Sequence, residues 1–206
     1  MLIFSGGQTR KDVGPISEAA SYYYLAESQG WITNEKISNN KKDAANVGGS
    51  GDGDRDGVRP VRDRIFLDEF ARDSYENLLF SLCRYKEVVG EYPDKVTIVG
   101  FDFKSSRFIE LHRKAIGFPK NKFNYVGLHP GNNFDSNIAI AGETKVKSAY
   151  EKDPYGCTHS LADKRELRNP FRRSIPYENA CPELHDLVRW CGPSLFDGID
   201  DLPWSK

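Results

Sequence analysis

A short apolar run that stops at small or charged residues and passes at once into a helix pattern occurs three times in this chain. No other feature restricts its fold as strongly. The first instance is Leu2-Ile3-Phe4, then Ser5-Gly6-Gly7, then Ser17-Glu18-Ala19. The second is Ile65-Phe66-Leu67, then Asp68-Glu69, then Asp73-Ser74-Tyr75-Glu76-Asn77. The third is Val96 to Val99, then Gly100, then Asp102, Lys104 and Arg107. A strand feeding a helix through a short polar loop is the unit of a parallel α/β sheet. Loops at the carboxyl ends of such strands gather on one edge, where ligands bind. The polar residues of the three loops are therefore candidates for one shared site.

The 206 residues fit one domain, or one domain with an appendage, and suffice for a sizeable core. A net charge of -1 gives no global attraction to nucleic acid or to an anionic membrane. No apolar stretch approaches the roughly 20 residues that span a bilayer. Leu2-Ile3-Phe4 is too short for the core of a secretory signal. The expected compartment is therefore the cytoplasm. Cys83, Cys157, Cys181 and Cys191 form no C-x-x-C pair, so all four are expected as free thiols.

Helix signals follow the strands. Pro15 and Ser17 open a helix that closes near Gly30, and its Tyr22-Tyr23-Tyr24-Leu25 block predicts a face packed on a sheet. Asp73 and Glu76 form a capping box, followed by Leu78, Leu79, Leu82, Tyr85 and Val89 at helical spacing, with Gly90 as the stop. Ser105 to Ile116 reads as a further helix ending at Gly117, and Phe123 to Leu128 as the last strand. Residues 33–64 hold almost nothing that can enter a core and read as a disordered insertion. Their Asp52-Gly53-Asp54 segment lacks the bidentate Glu of a calcium loop.

Past His129 the rhythm is lost. Residues 137–150 and 182–190 predict helices, and the Pro-, Arg- and Tyr-rich stretch between them reads as an extended arm lying across the core. Cys157, His159, Cys181, His185 and Cys191 do not have the paired spacing of a structural zinc site, and no metal is assigned.

Gly6-Gly7 at a strand end can bring backbone N–H groups to an anion, or can simply make a tight turn. Glu18 and Glu76 sit in first helical turns, where a carboxylate complements the macrodipole. Asn77 has no capping duty and low helix propensity, which marks it for another role. Asp102 with Lys104 and Arg107 can orient a phosphate or carboxylate, or form a local ion-pair cluster.

The run Leu2 to Gly7, the Ser17-Glu18-Ala19 triplet, Glu69, Glu76-Asn77 and Arg107 resemble, in order and spacing, the domain-of-unknown-function family typified by the bacterial SanA, ElyC and YdcF proteins. The likeness runs from about Leu2 to Leu128, and the tail looks like the extension of fungal-type members. Ser74 stands where the family has Thr, Lys104 about where it has His, and the family's opening strand and glycine loop have no counterpart. The resemblance implies a Rossmann-like three-layer sandwich with a mainly parallel sheet (residues 1–128) and an irregular or helical C-terminal extension (129–206) packed on it. It implies a polar cleft without a settled reaction.

The resulting expectation is a small anionic or nucleotide-like ligand, such as S-adenosylmethionine or a phosphorylated metabolite. The Ser5-Gly6-Gly7 backbone would hold the anion and Lys104 and Arg107 would neutralise it. Glu18, Glu76 and Asn77 would orient hydroxyl or amine groups. Glu18, Glu76 or Asp102 would serve as a general base. The alternatives are a non-enzymatic scaffold whose tail contacts a partner, or a truncated family member with an incomplete pocket. The last follows from a strand that starts at Leu2 with no neighbour before it.

Overall fold

Strands form at the apolar runs: β1 (Leu2–Ser5), β2 (Ile65–Asp68), β3 (Val96–Phe101) and β4 (Phe123–Leu128). The computed structural model describes residues 1–32, 61–129, 131 and 136–205. Most of the expected insertion, including Asp52 and Asp54, lies outside the described residues. Its last four residues are a 3-10 turn, Val61–Arg64, leading into β2. β1 pairs with β2 in parallel, Leu2 opposite Ile65 and Ser5 opposite Asp68. β3 pairs with β4 in parallel, Val96 opposite Phe123 and Phe101 opposite Leu128. The architecture is α/β with two short parallel ladders.

Each ladder strand hands over to a helix. Ser17 caps α1 (Glu18–Ser28), its Oγ accepting from the Ala20 N–H at 3.0 Å. Only Ala19 and Ala26 of α1 are buried, while Tyr22, Tyr24 and Leu25 stay exposed. Of the expected tyrosine block only Tyr23 packs inward, partly buried against Ala26 and Ile65. Small residues let α1 approach the sheet, and Tyr22 instead donates its hydroxyl to Glu18 at 2.8 Å.

The central helix, α2 (Ser74–Val89), buries Tyr75, Leu78, Leu79, Phe80, Leu82 and Cys83. Asp73 accepts from the Glu76 N–H at 2.9 Å, as the capping pattern predicts. Glu76 reaches back one residue further than a capping box requires, accepting from the Arg72 N–H at 2.8 Å. Gly90 closes the helix in the left-handed region at φ 88°.

The helix after β3 spans 105–115, but its middle, Arg107–His112, is π-helical before α3 (Arg113–Ala115). That wider turn puts Arg107, Phe108 and His112 together on the buried side. π-turns recur at functional sites, and nothing in the residue pattern announces this one.

The expected helices form as α4 (Ser136–Lys152) and, past a 3-10 turn, α7 (His185–Arg189), but the stretch between them is no extended arm: it carries α5 (His159–Leu167) and α6 (Tyr177–Ala180). Tyr150, Tyr155, Tyr177, Leu184, Leu187, Leu202 and Trp204 lie in the same core as α2, Phe108 and Phe118. Three polar tips find partners inside it: Tyr155 donates to the Ala115 carbonyl at 3.0 Å, Trp204 to that of Ile116 at 2.9 Å and Tyr177 to Asp68 at 2.9 Å, while the Tyr150 hydroxyl has no hydrogen-bond partner among the described residues. Helix α5 buries only Leu161, so no apolar period betrays it; ion pairing to α2 holds it instead.

The free-thiol expectation fails for two of the cysteines. Cys157 and Cys191 form a disulfide, while Cys83 and Cys181 are free and buried. Spacing alone could not show it, because folding brings together residues 34 apart.

Candidate functional site

The carboxyl end of the first ladder is tied by Asp68, the fully buried last residue of β2. Its carboxylate accepts from the Ser5 hydroxyl at 2.6 Å, the Tyr177 hydroxyl at 2.9 Å and the Phe70 N–H at 3.2 Å. Burial outweighs those donors and pushes its pKa up to about 6. Ser5 also lies 3.2 Å from Asn77 Oδ1, so Ser5 and Asn77 do meet.

Gly6 and Gly7 serve packing. The Gly6 N–H donates to the Asp68 carbonyl at 3.0 Å and the Gly7 N–H to that of Ala71 at 2.7 Å. A Cβ on Gly6 would stand 2.8 Å from Glu18 Cβ, and one on Gly7 would stand 2.7 Å from the Ala71 oxygen. These donors are engaged, which corrects the expectation that they cradle an anion. The glycines are there so that β1, the β2–α2 loop and the start of α1 can touch.

Glu76 is likewise engaged. It is 3% exposed and pairs with the Arg72 guanidinium and, at 3.5 Å, with Arg165 of α5. Arg165 also bonds the buried N-cap Asp73 at 2.5 Å. Glu76 and Asp73 therefore form a buried ionic joint between α2 and α5. Beside it the Ser74 hydroxyl lies 2.8 Å from His112 Nε2. Burial first, and Arg107 second, push His112 down to about 3, so its imidazole is neutral.

The charges that remain unneutralised lie around Arg107. Arg107 is 5% exposed and pairs with Glu143 of α4 at 3.0 Å, yet among the described residues its Nε–H has no partner, nor has Glu143 Oε1. Burial, then Arg107, push the Lys104 ammonium below its ordinary value, and the influence of Glu143 and Glu18 only partly offsets them. Burial, then Arg168 and Arg107, do the same to Lys164. Lys164 and Arg168 stand four residues apart, on one side of the helical turn that ends α5. Glu143 also feels Lys147, whose ammonium donates to Ser106 Oγ at 2.8 Å, and burial still raises its pKa. Among the groups that act on Lys104, Lys164 and Glu143, the cations Lys104, Arg107, Lys147, Lys164 and Arg168 outnumber the carboxylates Glu18, Glu143 and Asp73. Lys104 itself has aromatic neighbours, lying 5.2 Å from the Phe101 ring centre.

Of the residues expected from sequence, Glu18, Lys104 and Arg107 are thus electrostatically coupled, and Ser5 and Asn77 are in contact. Asp102 stands apart: it is exposed, and its carboxylate accepts from the Phe103 N–H at 2.7 Å. The carboxylate beside Lys104 and Arg107 is Glu143. Sequence reasoning named Asp68 only among the loop polar residues and missed His112, Glu143, Lys147, Lys164, Arg165 and Arg168 as site residues. The spacing of Lys164, Arg165 and Arg168 on a helix was the available signal for the tail cations. A cleft of about 780 Å³ opens next to this region, walled by Lys11, Arg72, Gly156, Arg165, Asn169 and Arg172 among others. It meets the cluster through Arg165, whose Nη2 lacks a partner; Lys104, Arg107 and Lys164 are not in its walls.

The chain is 34% identical over 201 aligned positions to "Uncharacterized protein YOR238W" of Saccharomyces cerevisiae. The alignment covers 85% of this chain and 64% of the yeast protein. No family model matches the chain, and no solved structure matches it. Among the described residues no helix is long and apolar enough to cross a membrane.

Proposed function

We propose that this chain binds a small anionic ligand at the carboxyl edge of its parallel strands, between the start of the helical segment after β3 and the end of α5. The observation that carries the reading is the excess of cations there. Burial first, and then Arg107 and Arg168, lower the pKa of both Lys104 and Lys164, and Lys104 adds to the effect on Lys164. A fold keeps such mutual repulsion at a cost, and an anion in their midst removes it. The unpartnered Arg107 Nε–H supplies a buried donor.

With this goes the proposal that the two ladders belong to one Rossmann-like three-layer arrangement, since α2 packs on both strands of the first ladder and on the π-helical segment beside the second. That matches the resemblance to the SanA, ElyC and YdcF type of protein.

Thermal unfolding at fixed ionic strength tests the binding. The reading expects multivalent anions to raise Tm in the wild-type chain and much less in Lys104→Met/Lys164→Met. An equal rise in both, or none with any anion on a folded sample, would exclude it.

A further inference from the structure

We infer that the Cys157–Cys191 disulfide is a reversible exchange site, opened at Cys191 by a small anionic thiol that docks in a cleft beside it. The inference does not depend on the anion site proposed above. A thiolate attacks the disulfide sulfur that it can reach. Cys191 is exposed and belongs to the walls of two clefts, the one of about 780 Å³ described above and a second of about 700 Å³. Cys157 is half-buried, its N–H donating to the Asp153 carboxylate at 3.1 Å. The free cysteines, Cys83 and Cys181, are fully buried and closed to a thiol in solution.

The second cleft supplies the recognition. Its size suits a small-molecule ligand. Its wall brings Lys145 and Lys152 of α4 and His159 of α5 together with Cys191. The wall carboxylate, Asp153, is 8% exposed, and its oxygens already accept from the Cys157 N–H, the Thr158 N–H and the Thr158 hydroxyl. Two ammonium groups beside the reacting sulfur draw in an anionic thiol and favour its thiolate form. Glutathione, with two carboxylates and one ammonium, is a thiol of this class.

The exchange balances as follows. The ligand thiolate attacks Cys191 Sγ, a bond forms between the two sulfurs, and the Cys157–Cys191 bond breaks. Its electron pair leaves on Cys157, which takes a proton from solvent. The Tyr155 and Trp190 carbonyl oxygens, each 3.7 Å from the Cys157 sulfur, are placed to accept from the new thiol. A second ligand thiolate then attacks the bound ligand's sulfur and displaces Cys191 as a thiolate. The protein disulfide is thereby reduced, and two ligand thiols are oxidised to one disulfide. In reverse, Cys157 attacks the mixed disulfide and closes the link.

The test treats the full chain with glutathione or with neutral 2-mercaptoethanol at equal thiolate concentration, quenches with iodoacetamide and follows intact mass. Peptide mapping locates the adduct. The expected intermediate carries glutathione on Cys191 and an alkylated Cys157. Glutathione should open the bond about tenfold faster than 2-mercaptoethanol, and Lys145→Met/Lys152→Met should bring the two rates together. Cys157→Ser treated with oxidised glutathione should hold the adduct on Cys191, because no resolving thiol remains. Circular dichroism checks that each variant is folded. Glutathione found on Cys157, or a bond that neither thiol opens in the folded chain, overturns the exchange site. Equal rates for the two thiols, or a rate ratio that the double lysine variant leaves unchanged, overturn the docking of an anionic thiol in this cleft.

Discussion

Asp68 makes the pH dependence of stability a sharp test. Its carboxyl is fully buried, and burial lifts its pKa from the ordinary 3.8 to about 6. A carboxyl whose folded pKa exceeds its unfolded pKa carries a penalty when ionised. The penalty is absent below the unfolded pKa and complete above the folded one. Between about pH 4 and pH 6 the folded chain binds more protons than the unfolded chain, so stability falls as pH rises. At about 1.4 kcal/mol per tenfold change in proton affinity, the full penalty is about 3 kcal/mol. The Ser5 and Tyr177 hydroxyls still satisfy a neutral amide at this position, because Ser5 can turn to accept. Asp68→Asn should therefore remove the penalty while keeping the fold. Urea unfolding at pH 4, 5, 6 and 7 measures it. The wild-type midpoint should decline across the series relative to Asp68→Asn, and the gap at pH 7 should exceed that at pH 4 by about 3 kcal/mol. Parallel profiles for the two proteins would refute the account of Asp68 as a desolvated acid.

Arg165→Met leaves Asp73 and Glu76 buried without their shared partner and should cost about 3–5 kcal/mol, read as a Tm drop of roughly 10 °C. Opening the Cys157–Cys191 link, by Cys157→Ser/Cys191→Ser or by a reductant, frees a loop of 34 residues and should cost about 3–4 kcal/mol in the same assay. Gly6→Ala places a methyl 2.8 Å from Glu18 Cβ and should lower the unfolding free energy measured in urea by about 1–3 kcal/mol. Gly142→Ala, in the open middle of α4, should raise it by about 0.5–1 kcal/mol.

The strands and α2 were legible because their signals are local. Ile65-Phe66-Leu67 can hardly avoid a buried strand, and Asp73 with Gly90 brackets a helix whose apolar period is unbroken. Helix α5 was hidden because what fixes it is a guanidinium meeting a carboxylate, Asp73, 92 residues earlier in the chain. The tail tyrosines looked like an arm because their hydroxyls find partners only once folded, as Tyr177 does on Asp68. At the site, Lys104 and Arg107 were visible as a polar segment after a strand. Their true carboxylate neighbour, Glu143, lies on a separate helix, so local reading assigned Asp102 instead. Gly6-Gly7 misled for a related reason: a glycine pair at a strand end looks the same whether its N–H groups await a ligand or reach a neighbouring carbonyl.

The central claim concerns one atom pair, an anion oxygen and the unpartnered Arg107 Nε–H. Nitrogen-15 NMR of the arginine side chains during a pyrophosphate titration, with sodium chloride at matched ionic strength as the blank, measures it directly. The account predicts a saturable downfield shift of the Arg107 Nε–H resonance, assigned by its loss in Arg107→Lys, that sodium chloride does not produce. An Arg107 resonance that stays in place while pyrophosphate binds would contradict it.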